Sequence, residues 1–466
     1  MINDSTRPRA FKSCIEKNIG YFLLKSLVEY LEIKEVVDIL SMPRQFQFSL
    51  YDLLTNLIYA RVFAPCSKLK TVSSVFPKLY NGIEISEDQL LDGLNFIGDF
   101  YTKYIELFNV HYSRKFKRNY DKLYFDCTNY YFEIDVARDD LQKGPSKEGK
   151  HSPIIGQALL LDSDLVPVGM EMYPGNESEK PYIRKLIEEM KTRYKVNGRT
   201  IQVADKGLNC AKNIYAAAVE SNDGYIFSKS IHGRNLSEVE KEWVILENKT
   251  NVFKDYKDKN GKLLYRLKSC VDVFDYSFKE IDEETGEYEI IDFKVKEKRI
   301  VSFNPSLAEK QKAEILKMVD KASNFVSLKQ ISREELGDSV KYVKVTTSDK
   351  NGKKVKTHYD LNQSVIEEDL KFAGYNLIVT SEINMNPSDI YSAYHNLWKI
   401  EESFKITKSY LDARPVYVQK KETIYGHFLI CYLSLFLLRV LEIKCFNSDI
   451  STFELIDFIR DFRIVR

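Results

Sequence analysis

Net charge is the first thing this sequence of 466 residues lacks: 69 lysines and arginines stand against 68 aspartates and glutamates, leaving +1. That balance excludes a protein that coats nucleic acid indiscriminately, which would be strongly basic, so any nucleic-acid contact must come from local patches. Cys-x-x-Cys pairs are missing too. The seven cysteines, Cys14, Cys66, Cys127, Cys210, Cys270, Cys431 and Cys445, are scattered, which excludes a zinc ribbon and offers no disulfide framework, as suits a reducing cytosol. Met1 to Ala10 is polar and has no apolar signal core. The longest apolar run, Phe428 to Leu438, is bracketed by His427 and Arg439; it is too short to span a bilayer and reads as a buried helix. A soluble, cytoplasmic protein of about two to four domains is expected.

Helical apolar periodicity marks Ile19 to Leu31, Leu50 to Phe63 and Leu90 to Phe108. Ser49 with Asp52 and Ser86 with Gln89 have capping-box spacing at two of the starts. This helical segment, residues 1–118, closes with a basic, aromatic-rich run in which Arg114, Lys115, Lys117 and Arg118 form either a solvated helix end or a patch that contacts DNA phosphates. From Lys122 the texture turns to strands. Leu123 to Phe125 runs into Asp126, Ile154 to Leu161 and Leu165 to Met172 follow, and Asp162-Ser163-Asp164 makes a hairpin turn between the last two. A helix over Tyr182 to Arg193 leads to the strand Thr200 to Ala204, which ends in Asp205; Ala211 to Val219 reads as a helix and Tyr225 to Phe227 as a strand. That order predicts an α/β layer fold over residues 119–228.

Residues 229–372 read as a mostly β insertion, with short strands at Lys262 to Arg266, Glu289 to Val295 and Val340 to Thr347 and a helix near Ser306 to Ala322. The string Asp-Lys-Asn-Gly-Lys occurs at Asp258 to Lys262 and again at Asp349 to Lys353, and Asn-Gly between strands predicts a type I′ hairpin at each. The α/β texture resumes at Tyr375 to Thr380 and continues through residues 373–466, where the last stretch, Phe453 to Arg466, reads as an ongoing helix.

Within that last part, Asn386 to Lys408 opens like a helix, with Asn386 as cap, Pro387 at the first position and Asp389 in the first turn. Tyr394, Leu397, Trp398, Glu401, Phe404, Lys405 and Lys408 then follow at spacings of three and four, which puts them on one face. A face that mixes aromatic bulk with a carboxylate and two lysines is neither an ordinary core face nor an ordinary solvated one. Two further acids stand at strand ends, Asp126 and Asp205, where open α/β folds gather functional side chains on a rigid backbone. Carboxylates brought together repel unless a cation sits between them, and a pair of Mg²⁺ ions, which take oxygen ligands and bind phosphate, would answer that. By position alone an Asp after a strand is more often a turn or cap residue and Glu401, beside Glu402, is by default a solvated one, and Asp162, Asp164 and Glu171 are equally available rivals.

The spacing of Tyr394, Leu397, Glu401 and Lys408 resembles the signature helix of bacterial insertion-sequence transposases, in the insertion-sequence-4-like group and closer to its 1634-like branch. Asp126 in Tyr124-Phe125-Asp126-Cys127-Thr128, Asp205 in Val203-Ala204-Asp205-Lys206-Gly207, and Glu401 match the acids of the DDE transposases, and Gly156 to Pro174 is similar to the stretch between the first two. Leu397 departs from the group, which usually has arginine there; Lys399 and Lys405 are the neighbours that could carry the missing charge. The resemblance implies an α/β, ribonuclease H-like catalytic core interrupted by a β-rich insertion and preceded by a helical domain that binds transposon ends. It implies that Asp126, Asp205 and Glu401 are catalytic and hold two Mg²⁺ ions, with Mn²⁺ as a substitute, and that Tyr394 and Lys408, with Lys405 beside them, contact end phosphates.

The activity it implies is cleavage at terminal inverted repeats and joining of the 3′-hydroxyl ends to target DNA. The implied partners are double-stranded DNA and a second copy of the chain, in a nucleoid-associated bacterial setting. Two alternatives remain open from sequence: a ribonuclease H-like nuclease that cuts without joining, and an inactive, transposase-derived DNA-binding protein. Cys127, beside Asp126, has no histidine close in sequence and reads as a small neighbour rather than a nucleophile.

Overall fold

The computed structural model describes residues 16–465 apart from 150, 197, 234–235, 282–284, 329–335 and 349–355. The polar start Met1 to Ala10, Cys14 and the turn Asp349 to Lys353 lie outside the described residues.

The strands are β1 (Glu16–Asn18), β2 (Lys122–Tyr131), β3 (Ile154–Leu161), β4 (Pro167–Pro174), β5 (Ile201–Ala204), β6 (Gly224–Lys229), β7 (Lys254–Lys257), β8 (Leu263–Ile281), β9 (Tyr288–Phe303), β10 (Val343–Ser348), β11 (Lys356–Leu361), β12 (Tyr375–Thr380) and β13 (Arg463–Val465). Nine of them form one mixed sheet in the order β4-β3-β2-β5-β6-β12-β9-β8-β7. β4, β3 and β2 run antiparallel, whereas β2, β5 and β6 run parallel to one another. The parallel steps need crossovers, and a helix over Lys180–Tyr194 provides the first of them.

Both faces of the sheet are buried from β4 across to β12, so these strands read as near-continuous apolar runs. Alternation assigns the sides: Tyr124, Tyr130, Leu159, Val203, Ile226 and Ile378 face one core, and Leu123, Phe125, Cys127, Leu160, Ala204, Phe227 and Val379 face the other. Packing between β3 and β4 is close enough that a Cβ on Gly156 would lie 2.0 Å from the Tyr173 ring. The first core is also that of the helices. Every residue of the Lys421–Val440 helix from Thr423 onward is buried, and Leu53, Leu57, Leu90, Leu94 and Phe108 pack in the same cluster. The helix is long and apolar enough to cross a membrane, yet its apolar window is wholly covered by protein. The N-terminal helices therefore share a core with the C-terminal ones and have none of their own. β1 pairs with β13, tying both ends of the described chain together.

Several sequence expectations are corrected. Leu90 to Phe108 is two helices, Glu87–Asp99 and Tyr101–Lys115, broken at Phe100. The helix expected from Phe453 onward does not run on: it ends at Asp461 and β13 follows over Arg463–Val465. The strands of the insertion are not all short. β8 and β9 are a hairpin of 19- and 16-residue strands, and the base of β9 pairs with β12, so the inserted strands extend the central sheet. The turn at Asp258 to Lys262 is not type I′, which needs positive φ at both central residues. Only Gly261 has it, at +79°; the Asp258 carboxylate instead accepts from the amides of Asn260 and Lys262 and shapes a longer loop. The capping pairs Ser49–Asp52 and Ser86–Gln89 are formed.

Candidate functional site

The last residues paired between the parallel strands β2 and β5 are Phe125 and Ala204. One step further along each strand stand Asp126 and Asp205. β5 ends there, in a single 3-10 turn over Lys206–Leu208, while β2 continues to Tyr131 against β3 alone, with Asp126 opposite Leu159. Asp126 is thus not at a strand end, as the sequence suggested, but at the end of a strand pairing. Parity puts it on the Tyr124 face and Asp205 on the Val203 face, which is the same face of the sheet.

Over that face lies the stretch from Pro387, and it is not one helix. Pro387–His395 and Trp398–Lys405 are separate helices with a break at Asn396 and Leu397, and a π turn over Ile406–Tyr410 follows. Asn386 stands at the cap position, but its side chain caps no amide. Nor do the seven singled-out residues share a face: Leu397 and Phe404 are buried, whereas Trp398 is 51% exposed. The break has a consequence. It lets the first helix deliver Tyr394 to Asp205, whose Oδ1 accepts the phenol proton at 2.8 Å, while the second helix packs Ile400 and Phe404 into the core and leaves Glu401 exposed. Asn396 in the break donates to the Tyr124 hydroxyl at 3.3 Å, which pins it to β2.

Asp205 acts on both of the other acids. Burial pushes the Asp126 carboxyl up to about 7; the charge of Lys147 and the Cys127 amide oppose that, and Glu179 and Asp205 add to it. Glu401 is raised by partial desolvation and then by Asp205. Burial and the Asp205 charge together hold the Tyr394 phenol above its ordinary value, so it donates to Asp205 as a neutral hydroxyl. Lys147, which the sequence reading missed, carries the positive charge that acts on Asp126; it bridges to Glu179 at 2.9 Å and donates to the Cys127 carbonyl. It sits in an irregular segment of mixed charge, where neither spacing nor periodicity distinguishes it. A cavity of about 750 Å³ opens beside Asp205 and Tyr394 and is bordered by Lys206 and Lys229.

The donor set is all carboxylate oxygen, which suits a hard divalent cation such as Mg²⁺, and a cation there would relieve the raising of Asp126 and Glu401 by burial and by the Asp205 charge. Among the described residues, the trio whose ligand atoms all lie within 4.8 Å of one another is Glu32, Glu35 and His111. The oxygens of Asp126, Asp205 and Glu401 stand wider apart. The first trio is already engaged, since Lys115 holds Glu32 at 2.6 Å and Arg114 holds Glu35 at 3.5 Å. Rival acids are engaged as well: Asp162 with Arg118, Asp164 with Lys444, and Glu171 with Lys185 and the Tyr101 hydroxyl.

The basic candidates divide. Arg118 is not a surface residue: its guanidinium is buried on Asp162 at 2.6 Å, on Asn109, and on the carbonyls of Val166 and Pro167. That is a structural anchor between the helices and the β3–β4 turn, and the phosphate-contact expectation fails for it. Arg114 is exposed but paired with Glu35, Lys115 is half-buried over the Tyr30 ring, and Lys117 is exposed. Lys408 donates to Glu148 at 3.1 Å, which also binds Arg414, and lies over the Tyr130 ring. Lys405 is exposed beside Phe453. Lys399, one substitute for the arginine absent at Leu397, is drawn into ion pairs with Glu402 and Glu442. Cys127 faces the opposite core from Asp126, and burial holds its thiol well above the ordinary value, which removes it as a nucleophile.

Fold and site together define a mixed α/β protein with two aspartates where a parallel strand pair parts and a helical glutamate within reach of the Asp205 charge. No family model matches the chain, and no curated protein matches it in sequence. Among solved structures it is similar to a piggyBac transposase in a synaptic complex with hairpin DNA, at 12% identity and a TM-score of 0.31, over 97% of this chain and 88% of that one. The likeness is weak, and none of the geometry above depends on it.

Proposed function

We propose that this chain is a DDE transposase that cuts DNA at transposon ends and joins the freed 3′-hydroxyls to target DNA. The observation that carries the reading is the register of β2 on β5, which brings Asp126 and Asp205 side by side on the face covered by Glu401 and Tyr394. The strand order β4-β3-β2-β5-β6, three antiparallel strands and then two parallel ones, supports a ribonuclease H-like core. Two Mg²⁺ ions held by Asp126, Asp205 and Glu401 would supply an activated water or 3′-hydroxyl and a stabilised leaving oxygen.

The residues around them divide the remaining work. Tyr394 fixes the orientation of Asp205 by donating to one of its oxygens, which leaves the other for a cation. Lys147 sets the positive charge that favours Asp126 as a carboxylate. Lys408 and Arg414 stand ready for phosphate once Glu148 releases them. Double-stranded DNA with terminal inverted repeats, and a second copy of the chain to pair the two ends, complete the proposal.

The test is Mg²⁺-dependent cleavage and strand transfer on DNA carrying the element's own ends, wild type against Asp205→Asn. Joined products that vanish in the variant support the reading. Cleavage without joining points to a nuclease of the same fold, and specific binding with no cutting in either protein points to a DNA-binding protein. Equal activity in both proteins removes Asp205 from the site.

A further inference from the structure

A second cavity, of about 560 Å³, opens between residues 65–70 and the turn at 412–418, against the Lys421–Val440 helix. Its floor is cationic. Arg61, Lys68 and His427 line it and are only 5%, 7% and 4% exposed. Among the described residues, no carboxylate comes within ion-pair distance of Arg61 or Lys68. Buried cations are ordinarily paired, because desolvation otherwise opposes the charge.

We propose that this cavity is a phosphate-binding site, in which Arg61 and Lys68 take the oxygens of a phosphate group. The source is either a backbone phosphate of DNA or a free phosphate-bearing small molecule.

Hydrogen bonding gives the polarity. His427 Nε2 lies 2.9 Å from the Ala413 carbonyl, which can only accept, so Nε2 carries the proton. Nδ1 is then an acceptor, and Lys68 Nζ donates to it at 3.1 Å. An ammonium there keeps two further N–H groups for a ligand. Arg61 is held by carbonyl oxygens alone, those of Leu411, Asp412 and Cys66, at 3.3 to 3.4 Å, long contacts that leave a guanidinium able to turn toward an anion. Burial and then the Arg61 charge hold Lys68 well below its ordinary value, and burial, Lys68 and Arg61 do the same to His427. That is the signature of a site short of negative charge. Lys70 stands exposed on the rim. Asp412 also lines the cavity, but it is exposed and bridges none of these cations. The three acids play no part in this argument, so the site stands or falls separately from the proposed activity.

The experiment uses the full chain and inorganic phosphate, followed by ³¹P line broadening and by the rise in Tm, with chloride at matched ionic strength as the reference. The expectation is a phosphate-specific rise in wild type, and an affinity lower by roughly tenfold or more in Lys68→Met, which keeps the packed stem but removes the donors. Should Lys68→Met not fold, the rim variant Lys70→Ala replaces it, with a smaller loss expected. Lys34→Ala, at an exposed position that does not line the cavity, should bind like wild type. Short duplex DNA that displaces phosphate would identify a backbone phosphate as the source; phosphate binding unchanged by DNA would identify a small molecule. No response beyond chloride in wild type, or equal affinity in wild type and the folded Lys68 and Lys70 variants, would overturn the proposal.

Discussion

Tyr394 and Asp205 lie 189 residues apart in the chain and are joined by one hydrogen bond, phenol to carboxylate, of 2.8 Å. That bond spans the segment anticipated as an insertion and fixes the first helix of the 387–405 pair to the end of β5. Tyr394→Phe keeps the ring and removes the donor. Cleavage of end-bearing DNA should fall about tenfold, the cost of one hydrogen bond to a charged group, with the unfolding midpoint almost unchanged. A fall in Tm that matches the loss of activity would make Tyr394 a packing residue only.

Asp126 gives a pH dependence whose sign can be worked out. Its folded value of about 7 lies above the ordinary carboxylate range, so in the metal-free protein it holds a proton over the interval from about 4 to 7 that the unfolded chain has given up. Metal-free stability should therefore be greatest at the acid end of that window and decline as pH rises through 7. Asp126→Asn should flatten the decline and be the more stable protein at pH 8. In the proposed metal site Mg²⁺ would displace the same proton, so its apparent affinity should rise about tenfold per pH unit below 7 and level off above. Calorimetric Mg²⁺ titrations in buffers of different ionisation heat would count the proton released. A pH-independent affinity in wild type would take Asp126 out of the metal site.

How much of this could be read from the sequence depends on whether the signal was local. The strands around Asp126 and Asp205 were legible because both faces of the sheet are buried, so apolar runs mark them. The side each acid faces was not, since it follows from a register between β2 and β5 that no local pattern encodes. The helix break at Asn396 and Leu397 escaped because a spacing of three and four continues across it. It is the tertiary bond from Asn396 to Tyr124 that shows where the chain is pinned. The length of β8 and β9 escaped for another reason: beyond the core their apolar residues fall on both sides, with Phe274, Tyr276 and Phe278 half-buried but Val273 and Ile290 more than half exposed, so no single apolar side marks the strands. Arg118 was misread because a basic run looks the same whether or not one member turns inward. Its partners Asn109, Asp162 and Pro167 are distributed over a helix and a hairpin turn.

Arg118 accordingly should behave as part of the core. Its guanidinium and the Asp162 carboxylate are 3% and 0% exposed, and removing one member of such a pair strands the other. Arg118→Met should cost about 3 to 5 kcal/mol of unfolding free energy. Denaturant titration measures this, and DNA affinity per folded molecule should not change. A variant of native stability with weakened DNA binding would restore the phosphate-contact role.

Glu148 makes the opposite prediction for the other basic group. It binds both Lys408 and Arg414, and burial lowers the Lys408 ammonium while Glu148 supports it. Under the proposed function this carboxylate holds the place that a phosphate would take, and bound DNA would displace it. Glu148→Gln leaves the shape and removes the competing charge. Affinity for duplex DNA should rise severalfold, and the slope of log affinity against log salt should steepen by about one to two, as two more cations become available to phosphates. Adding Lys408→Ala to that variant should reverse about half of the steepening. If Glu148→Gln instead weakens binding, Glu148 positions the two cations rather than occupying them, and the lysine and arginine would then be competent only in the orientation that the carboxylate imposes.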